Sequence, residues 1–214
     1  MTDPATTDPA ETDPAATDPA VQSVDAVYNL PLVVINTGLL RAGCGARAQF
    51  RLASDGGYLP SPVAVDTVTL GPGDRAEIIV DTSAGPVALL DSEFGRVLEL
   101  RPDDSLPTAE FPPDQLGEID VITVDEIDND RTFVMDEVED GWGINGNRME
   151  MGRIDHTIRF GDTERWTITV EDGIHTFHVH QTQFQILSIN GEPPSPEHAG
   201  WEDTVLVTED REVV

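Results

Sequence analysis

The stretch ERWTITVEDGIHTFHVHQTQF, residues 164–184, decides the fold. Near its start, Trp166, Ile168 and Val170 lie at alternate positions, and charged or polar side chains fill the positions between them. This period of two is typical of a half-buried β-strand, because successive side chains of a strand point to opposite faces. The segment therefore predicts a sheet with one face against a hydrophobic core.

Short segments with strand character recur on both sides of this stretch, and turn residues separate them. Sixteen prolines and eighteen glycines supply such turns, and no segment has the period of an amphipathic helix. Many short strands with frequent turns predict an all-β sandwich or barrel. The predicted strands include YNLPLVVIN (28–36), RAQFRLA (47–53), PVAVDTVTL (62–70), RAEIIVD (75–81), PVALL (86–90), GRVLEL (95–100), IDVITV (119–124), RTFVMD (131–136), WGINGN (142–147), IDHTIRF (154–160), QFQILSI (183–189) and DTVLV (203–207).

Composition divides the chain into four parts. Residues 1–24 contain the unit TDPA four times at a period of five, and this acidic, proline-rich composition predicts a disordered tail. Residues 25–100 form a first ordered segment, and residues 119–214 form a second. Between them, residues 101–118 are rich in proline and aspartate and are predicted to be a linker.

The charge is strongly negative, with 41 acidic residues, 12 basic residues and a net charge of -29. Every basic residue is an arginine. Such a surface repels nucleic acid and anionic lipid, so neither is an expected partner. Adaptation to high salt is the favoured explanation, since concentrated ions screen the repulsion between carboxylates. A melting series in which stability does not change between low and molar salt would contradict it.

The sequence also shows no sign of an internal disulfide, of a membrane span or of a signal peptide. The single cysteine, Cys44, excludes an internal disulfide and is interpreted as an unpaired small residue in a turn. No apolar run approaches the roughly 20 residues of a membrane span. The N-terminus shows no basic start and no apolar segment, so no signal peptide is predicted there, and the localisation of the protein stays open.

Three of the five histidines, His175, His178 and His180, fall within six residues. On a strand, His178 and His180 share one face, and His175 points to the other. The spacing therefore predicts a pair of imidazoles at one metal site and a third ring at another. Neutral imidazole suits copper, zinc, iron or nickel, and its second ring nitrogen needs an acceptor such as Gln181, Gln183 or a backbone carbonyl.

The competing interpretation is that these three histidines are exposed on a strand without binding a metal. His156 and His198 stand alone in the sequence and are interpreted as ordinary surface or loop histidines.

The segment from His175 to Val207 resembles the last cupredoxin domain of multicopper oxidases, the group of laccases, bilirubin oxidases and cuprous oxidases. Upstream, INGNRMEM and GDTERWTI resemble further motifs of that domain, and ASDGGYLPSPVAVDTVTLGPGDRAEIIVD resembles the middle domain of the family. The resemblance covers about residues 28–207. The shared positions of the C-terminal block are His175, Phe177, His178, His180, Phe184, Asn190, Gly191, Pro193, Pro194, Gly200, Trp201, Asp203, Thr204 and Val205.

This resemblance implies a Greek-key cupredoxin-like β-sandwich, with a partial middle domain over residues 25–100 and a C-terminal domain over residues 119–214. It implies copper as the cofactor, with His175 a ligand of the type 1 copper, His178 of the type 2 copper and His180 of the type 3 pair. It also implies a reducing substrate, a phenol or a metal ion, whose oxidation is coupled to the reduction of O2 to water. Family members usually work outside the cytoplasm.

The sequence departs from the family pattern where the other copper ligands are expected. The family's type 1 cysteine comes from an H-C-H motif that these 214 residues do not contain, and Cys44 has no flanking histidine. Thr176 stands where the family usually has proline. We therefore expect a fragment, with its C-terminal domain truncated before the last strands, that is inactive alone. The chain is expected either to be marginally stable or to pair with another chain that supplies the missing strands and ligands.

Two rival interpretations remain. Beside the multicopper oxidase, the chain could be a non-catalytic metal-binding or interaction module on a cupredoxin scaffold, or a cupin-like enzyme with one metal ion. A cupin-like site would need a carboxylate a few residues after the H-x-H pair and another histidine on a later strand. That interpretation ranks last, because Glu192 lies too far along the chain and His198 lies in a proline-rich turn.

Overall fold

The computed structural model describes residues 22–26, 32–35, 40–43 and 49–214, except residues 92–94, 104, 106–110 and 140; side chains are described from residue 49 onward. The TDPA repeat and Cys44 lie outside these residues, so the predicted tail stays a prediction. The described residues contain fifteen strands, which are β1 Gln22–Ala26, β2 Leu32–Ile35, β3 Leu40–Gly43, β4 Gln49–Ser54, β5 Gly57–Ala64, β6 Val68–Leu70, β7 Arg75–Val80, β8 Val87–Asp91, β9 Gly95–Pro102, β10 Asn129–Val138, β11 Gly141–Ile144, β12 Asn147–Arg148, β13 Glu164–Val170, β14 Ile174–His178 and β15 Thr204–Thr208.

The first nine strands form two sheets. One sheet has the order β1-β9-β8-β3-β6, and the other has the order β2-β7-β4-β5. Apolar residues of β6, β8 and β9 in the first sheet meet apolar residues of β7 in the second, which makes a sandwich core. Its buried residues are Val68, Leu70, Ala76, Ile78, Val80, Val87, Leu89 and Leu100.

The remaining strands form a second pair of sheets. One has the order β12-β11-β10-β13, with β10 and β13 parallel, and the other is the antiparallel pair β14-β15. Their shared core is richer in aromatic rings, and Phe133, Trp166 and Phe177 stack within it at ring-centroid distances of 4.7 to 6.0 Å. Its buried residues are Phe133, Met135, Ile168, Val170, Phe177, Ile186, Val205, Val207 and Val213.

The all-β prediction is confirmed, and the architecture is the expected cupredoxin-like sandwich. The two helices of the described residues, Val124–Glu126 and Pro196–His198, are 3-10 turns of three residues each. No helix in this part of the chain is therefore long and apolar enough to cross a membrane. The domain boundaries stay a prediction, although β9 runs on to Pro102, past the predicted start of the linker.

Three predicted strands are wrong. Residues 119–123 form no strand ladder. The Ile122 N–H donates to the Gln185 side chain, and a capping box at Thr123 then starts the helix Val124–Glu126. Residues 154–160 also form no strand. Ile154 is 81% exposed there, and the Thr157 carbonyl accepts from the Arg131 side chain instead of from a neighbouring strand.

Residues 183–189 make only isolated bridges, Phe184 with Glu202 and Ile189 with Glu192 and Val213. The Leu187 and Ser188 N–H groups both donate to the Val214 carbonyl, so a single acceptor replaces a regular ladder there.

Candidate metal centre

Strand β14 places the histidines by its pairing with β15. His175 lies opposite Val207, and His178 lies opposite Thr204. Phe177, between them, turns inward and is 8% exposed. Because alternate side chains of a strand point to opposite faces, His175 lies on the side of Phe177 and His178 on the other.

The rings of His178 and His180 lie side by side, with centroids 4.8 Å apart. Both residues are exposed, and they line an open cavity of about 680 Å³ together with Thr182, Gln183 and Trp201. The cavity wall is mostly polar side chain and backbone. The sequence therefore predicted correctly that these two imidazoles share one face, whereas metal binding itself stays a prediction.

The ring of His175 lies apart from that pair. It packs on Trp142 of β11, with ring centroids 4.1 Å apart. Among the described residues, no group of three or more His, Cys, Asp or Glu side chains is arranged to hold one metal ion. The three rings do not converge, which is the arrangement expected if they served separate centres.

Hydrogen bonds fix which nitrogen of His178 carries the proton. Its Nδ1 lies 2.9 Å from the Asp203 carbonyl oxygen and 3.0 Å from Thr204 Oγ1. The carbonyl is only an acceptor, and the Thr204 hydroxyl donates its own proton to Asp203 Oδ1 at 2.7 Å. His178 Nδ1 must therefore be the donor. The neutral ring then keeps a free lone pair on Nε2, the form in which imidazole binds a metal.

Arg75 of β7 holds the carboxylate of Asp203 from the other pair of sheets. Its Nη1 and Nη2 donate to Asp203 Oδ1 and Oδ2, each at 2.7 Å, in a two-point contact. The guanidinium lowers the pKa of Asp203, which stays ionised as an acceptor. The acceptors proposed from the sequence for the histidines were Gln181, Gln183 or a carbonyl. For His178 the acceptors are the Asp203 carbonyl and Thr204, and Gln183 instead donates to Gly56 O at 3.4 Å.

Asp55 lies at the centre of the same junction, with its side chain 1% exposed. Its two carboxylate oxygens accept from the backbone N–H groups of Arg75 at 2.6 Å and Thr204 at 3.1 Å. Burial raises the pKa of Asp55 to about 6, although the hydrogen bond from Arg75 acts against this rise. One buried carboxylate thus ties β7 to β15, the strand that braces His178.

Backbone contacts close the junction beside Asp55. The Gly56 N–H donates to the Trp201 carbonyl at 2.8 Å, and the Ser54 hydroxyl donates to the same oxygen at 2.6 Å. A Cβ on Gly56 would overlap that carbonyl group, so the position accepts only glycine without a shift of the backbone. Residues that are far apart in sequence are therefore pressed together directly next to the histidine pair.

The two isolated histidines take no part in this centre. His156 lies edge-on to Phe133, with ring centroids 5.3 Å apart. His198 Nδ1 lies 3.2 Å from the buried Glu202 carboxylate. Their interpretation as ordinary surface or loop histidines stays a prediction.

Comparison with known proteins identifies relatives of two kinds. A family model described as multicopper oxidase matches residues 116–214. The cell division protein FtsP of Edwardsiella tarda is 35% identical over an aligned length of 187 positions, and the match covers 75% of this chain and 38% of that protein. FtsP of Escherichia coli K12 is 34% identical over an aligned length of 179 positions, and the match covers 73% of this chain and 37% of that protein.

Solved structures of multicopper oxidases share the fold. The laccase-like multicopper oxidase CueO from Ochrobactrum sp. is 27% identical with a TM-score of 0.78, over 90% of this chain and 49% of that one. The multicopper oxidase from Pediococcus acidilactici is 26% identical with a TM-score of 0.77, over 90% of this chain and 43% of that one.

The chain thus spans 38% of one curated relative and 49% of one solved oxidase. The family match contains all three clustered histidines, and the shared fold extends to the preceding pair of sheets. This chain therefore belongs to the multicopper oxidase family.

Proposed function

We propose that His178 and His180 are copper ligands in a protein that couples the oxidation of a phenol or a metal ion to the reduction of O2 to water. In this proposal His178 serves the type 2 copper, His180 the type 3 pair and His175 the type 1 copper. The observation that carries it is the hydrogen bonding of His178, whose Nδ1–H is held by Asp203 O and Thr204 Oγ1. Its Nε2 is thereby left as a metal-binding atom beside the His180 ring.

Imidazole is a suitable ligand type for copper, but two imidazoles are fewer ligands than a copper site ordinarily has. Two neutral imidazoles suit copper, and bound copper would supply the electron transfer on which the family's chemistry rests. Two ligands on one strand edge hold an ion weakly, because copper and zinc sites in proteins ordinarily use three or four protein ligands. We expect the chain alone to bind copper exchangeably at this edge.

His175 is proposed as a ligand of a different centre because its ring lies on the Trp142 side of β14. The family's remaining ligands, including the cysteine of its H-C-H motif, are not among these 214 residues and would come from another segment of polypeptide. An apolar cavity of about 510 Å³, lined in part by Trp166, Phe184 and Ile186, supports the expectation that further strands pack on the second core.

Copper titration of the purified chain tests the proposal. We expect one Cu(II) per chain, with an affinity that falls at least about tenfold in the double variant His178→Ala/His180→Ala, since even changes behind the ligands cost that much. The matched control is His156→Ala, which removes a histidine outside the pair. Equal copper binding by the double variant and the wild-type chain would refute the assignment.

An oxidase assay tests the expected inactivity of the isolated chain. The 214 residues hold five histidines and one cysteine, so we expect the copper-loaded chain neither to turn blue nor to oxidise a phenol with O2. Intense blue absorbance together with turnover would contradict this expectation.

A second candidate function is an interaction module on the same scaffold without catalysis. It is favoured by the two FtsP relatives, which are named as cell division proteins and are 34–35% identical to this chain. A well-folded chain that binds no copper in the titration would select this candidate over the first.

A further inference from the structure

A surface turn before β13 carries a fully exposed phenylalanine. The Asp162 N–H donates to the Arg159 carbonyl at 3.1 Å and closes a turn of four residues, in which Phe160 takes the second position. Gly161 follows with a φ of 94°, a conformation that suits glycine at the third position. The side chain of Phe160 is 104% exposed, and this turn needs no aromatic ring. Phe160 therefore contributes nothing to the core of its own chain.

The turn stands at the rim of the apolar cavity of about 510 Å³ in the second core. Ile158, two residues before Phe160, and Asp162, two residues after it, both line this cavity, whereas Phe160 does not. Two residues span at most about 7 Å, so the exposed ring lies close to the cavity without entering it. A cavity of about 150 Å³ already holds a benzene molecule, so this one has room for a phenylalanine ring. The chain thus presents a protruding ring and an apolar cavity side by side.

The stretch that leads into this turn is also apolar and exposed. Its residues Met149, Met151, Ile154 and Ile158 are 46–88% exposed. With Phe160 they present roughly several hundred Å² of apolar surface, and patches of that size mark interaction surfaces on soluble proteins. A stable interface buries about 800 Å² on each partner, and the stretch together with the cavity rim is of that order.

The charge of the same stretch differs from that of the rest of the chain. Residues 148–160 contain three arginines and two acidic residues, whereas the whole chain has 12 basic and 41 acidic residues. Two copies of a chain with a net charge of -29 repel each other over most of their surface. Contact through residues 148–160 avoids most of this repulsion, and molar salt screens the remainder beyond about 3 Å.

We propose that the partner of this surface is a second copy of the chain, in a symmetric dimer in which the Phe160 ring of each copy enters the apolar cavity of the other. A two-fold contact uses the same surface on both copies, so that surface must be complementary to itself. The adjacent ring and cavity meet this requirement, because both reciprocal contacts then lie near one axis. The interface borders the histidine pair, since His180, Thr182 and Gln183 line both cavities, but it does not depend on copper.

Sedimentation equilibrium of the purified chain tests the dimer. We expect a monomer–dimer equilibrium that tightens from low to molar NaCl. Phe160→Glu should raise the dissociation constant of the dimer at least about 30-fold, because a charge replaces the anchoring ring of both contacts. The matched control is Leu90→Glu, which puts the same charge at an apolar position on β8 that is 50% exposed, and it should leave the dissociation constant unchanged.

A mixing experiment tests the exchange of rings. Ile122→Trp enlarges a side chain that lines the cavity and blocks it, whereas Val121→Trp enlarges its neighbour, which is 70% exposed and outside the cavity. We expect the dissociation constant to rise in Ile122→Trp and to stay unchanged in Val121→Trp. A mixture of Phe160→Glu, with open cavities, and Ile122→Trp, with intact rings, keeps one of the two contacts. It should associate more tightly than either variant alone.

The outcomes separate the possible occupants of the cavity. A chain that stays monomeric in molar salt, or a Phe160→Glu variant that dimerises like the wild-type chain, would overturn the inference and leave the cavity to a strand of a different polypeptide. Open-ended association, or a mixture no tighter than its components, would overturn the two-fold exchange. If Ile122→Trp does not fold, Phe160→Glu and Leu90→Glu decide alone, since both positions are exposed. Copper binding by a monomeric chain would leave the proposed function intact.

Discussion

The two sides of strand β14 are built on different principles. On one side, Phe177 enters the aromatic core and His175 packs on Trp142, so these positions are held by ring contacts. On the other side, His178 is held by hydrogen bonds to Asp203 and Thr204, and the supporting groups continue to Arg75 and Asp55. The first side rests on apolar burial, whereas the second depends on the direction of individual hydrogen bonds.

The two sides of β14 should therefore respond differently to substitution. Apolar packing tolerates a small rotation of a ring, because dispersion contacts are many and individually weak. A hydrogen-bond chain tolerates much less, since one reversed donor changes the state of the last group in it. We therefore expect substitutions on the packed side to change only the free energy of unfolding, whereas substitutions on the polar side should also change the affinity for the proposed metal.

The largest expected effect is on the packed side. Phe177→Ala should lower the free energy of unfolding by about 3–5 kcal/mol, because it empties a ring-sized space beside Phe133 and Trp166. Ile174→Ala, on the same strand at a position 47% exposed, is the control and should cost within about 0.5 kcal/mol. Denaturant unfolding measures both. Equal losses would break the distinction between the two sides.

The pH dependence of stability tests Asp55, the buried carboxylate among the polar groups that support His178. The pKa of Asp55 rises from 3.8 to about 6 on folding, so the folded state holds this proton more tightly than the unfolded chain. Its contribution to stability is complete below pH 3.8 and is lost as the pH rises through about 6. The full difference corresponds to about 3 kcal/mol.

The reference for this measurement is Asp55→Asn, which stays neutral at every pH. The stability of the wild-type chain minus that of the variant should fall between pH 4 and roughly pH 6, in chemical unfolding at a series of pH values. A difference that rises over this interval would show that the buried carboxylate is stabilised as an anion.

A smaller effect is expected where the backbones meet. Gly56→Ala should cost about 1–3 kcal/mol and loosen the junction, because the new methyl group overlaps the Trp201 carbonyl. Gly117→Ala is the matched control, since a Cβ there meets nothing within 4 Å. Thermal unfolding compares the two variants, and copper affinity should fall only in Gly56→Ala. A Gly56→Ala chain with wild-type stability would contradict the close approach.

The smallest effect is expected for an ion pair outside both sides. Arg165 and Asp130 form an exposed pair, with side chains 41% and 64% accessible. Arg165→Ala should change the free energy of unfolding by no more than about 0.5 kcal/mol, because water and salt screen such pairs. Arg75→Ala should lower the free energy of unfolding by more than Arg165→Ala does. Equal decreases would mean that the contacts of Arg75 with Asp203 and Asp55 contribute no more to stability than an exposed ion pair.

The sequence predicts those features that depend on local periodicity. Trp166, Ile168 and Val170 alternate with polar residues, and β13 runs over Glu164–Val170. The same alternation placed His178 and His180 on one face. Where apolar residues lack a neighbouring strand, periodicity misleads: residues 154–160 read as a strand, but Phe160 is fully exposed and the segment is irregular.

The hydrogen bonds that hold His178 in place cannot be predicted from local periodicity. Arg75 and Asp203 both lie in segments that resemble family motifs, but no local pattern pairs residues 128 positions apart. The choice of Asp203 O and Thr204 as acceptors depends on the register between β14 and β15, which is set by tertiary packing. The sequence suggested Gln181, Gln183 or a backbone carbonyl, and only the carbonyl is used by His178, because the glutamines are merely close along the chain.

The end of β14 has a consequence for how the imidazole pair adapts. His178 is the last residue of the strand, so its backbone is fixed by the ladder with Thr204. His180 lies beyond it, next to Gln181, whose φ of 67° turns the chain in a left-handed conformation. One ring is thus anchored in a sheet and the other is carried by a bend. If the pair binds copper as proposed, exchanging residues of the bend would change the distance between the two rings without a change in the sheet.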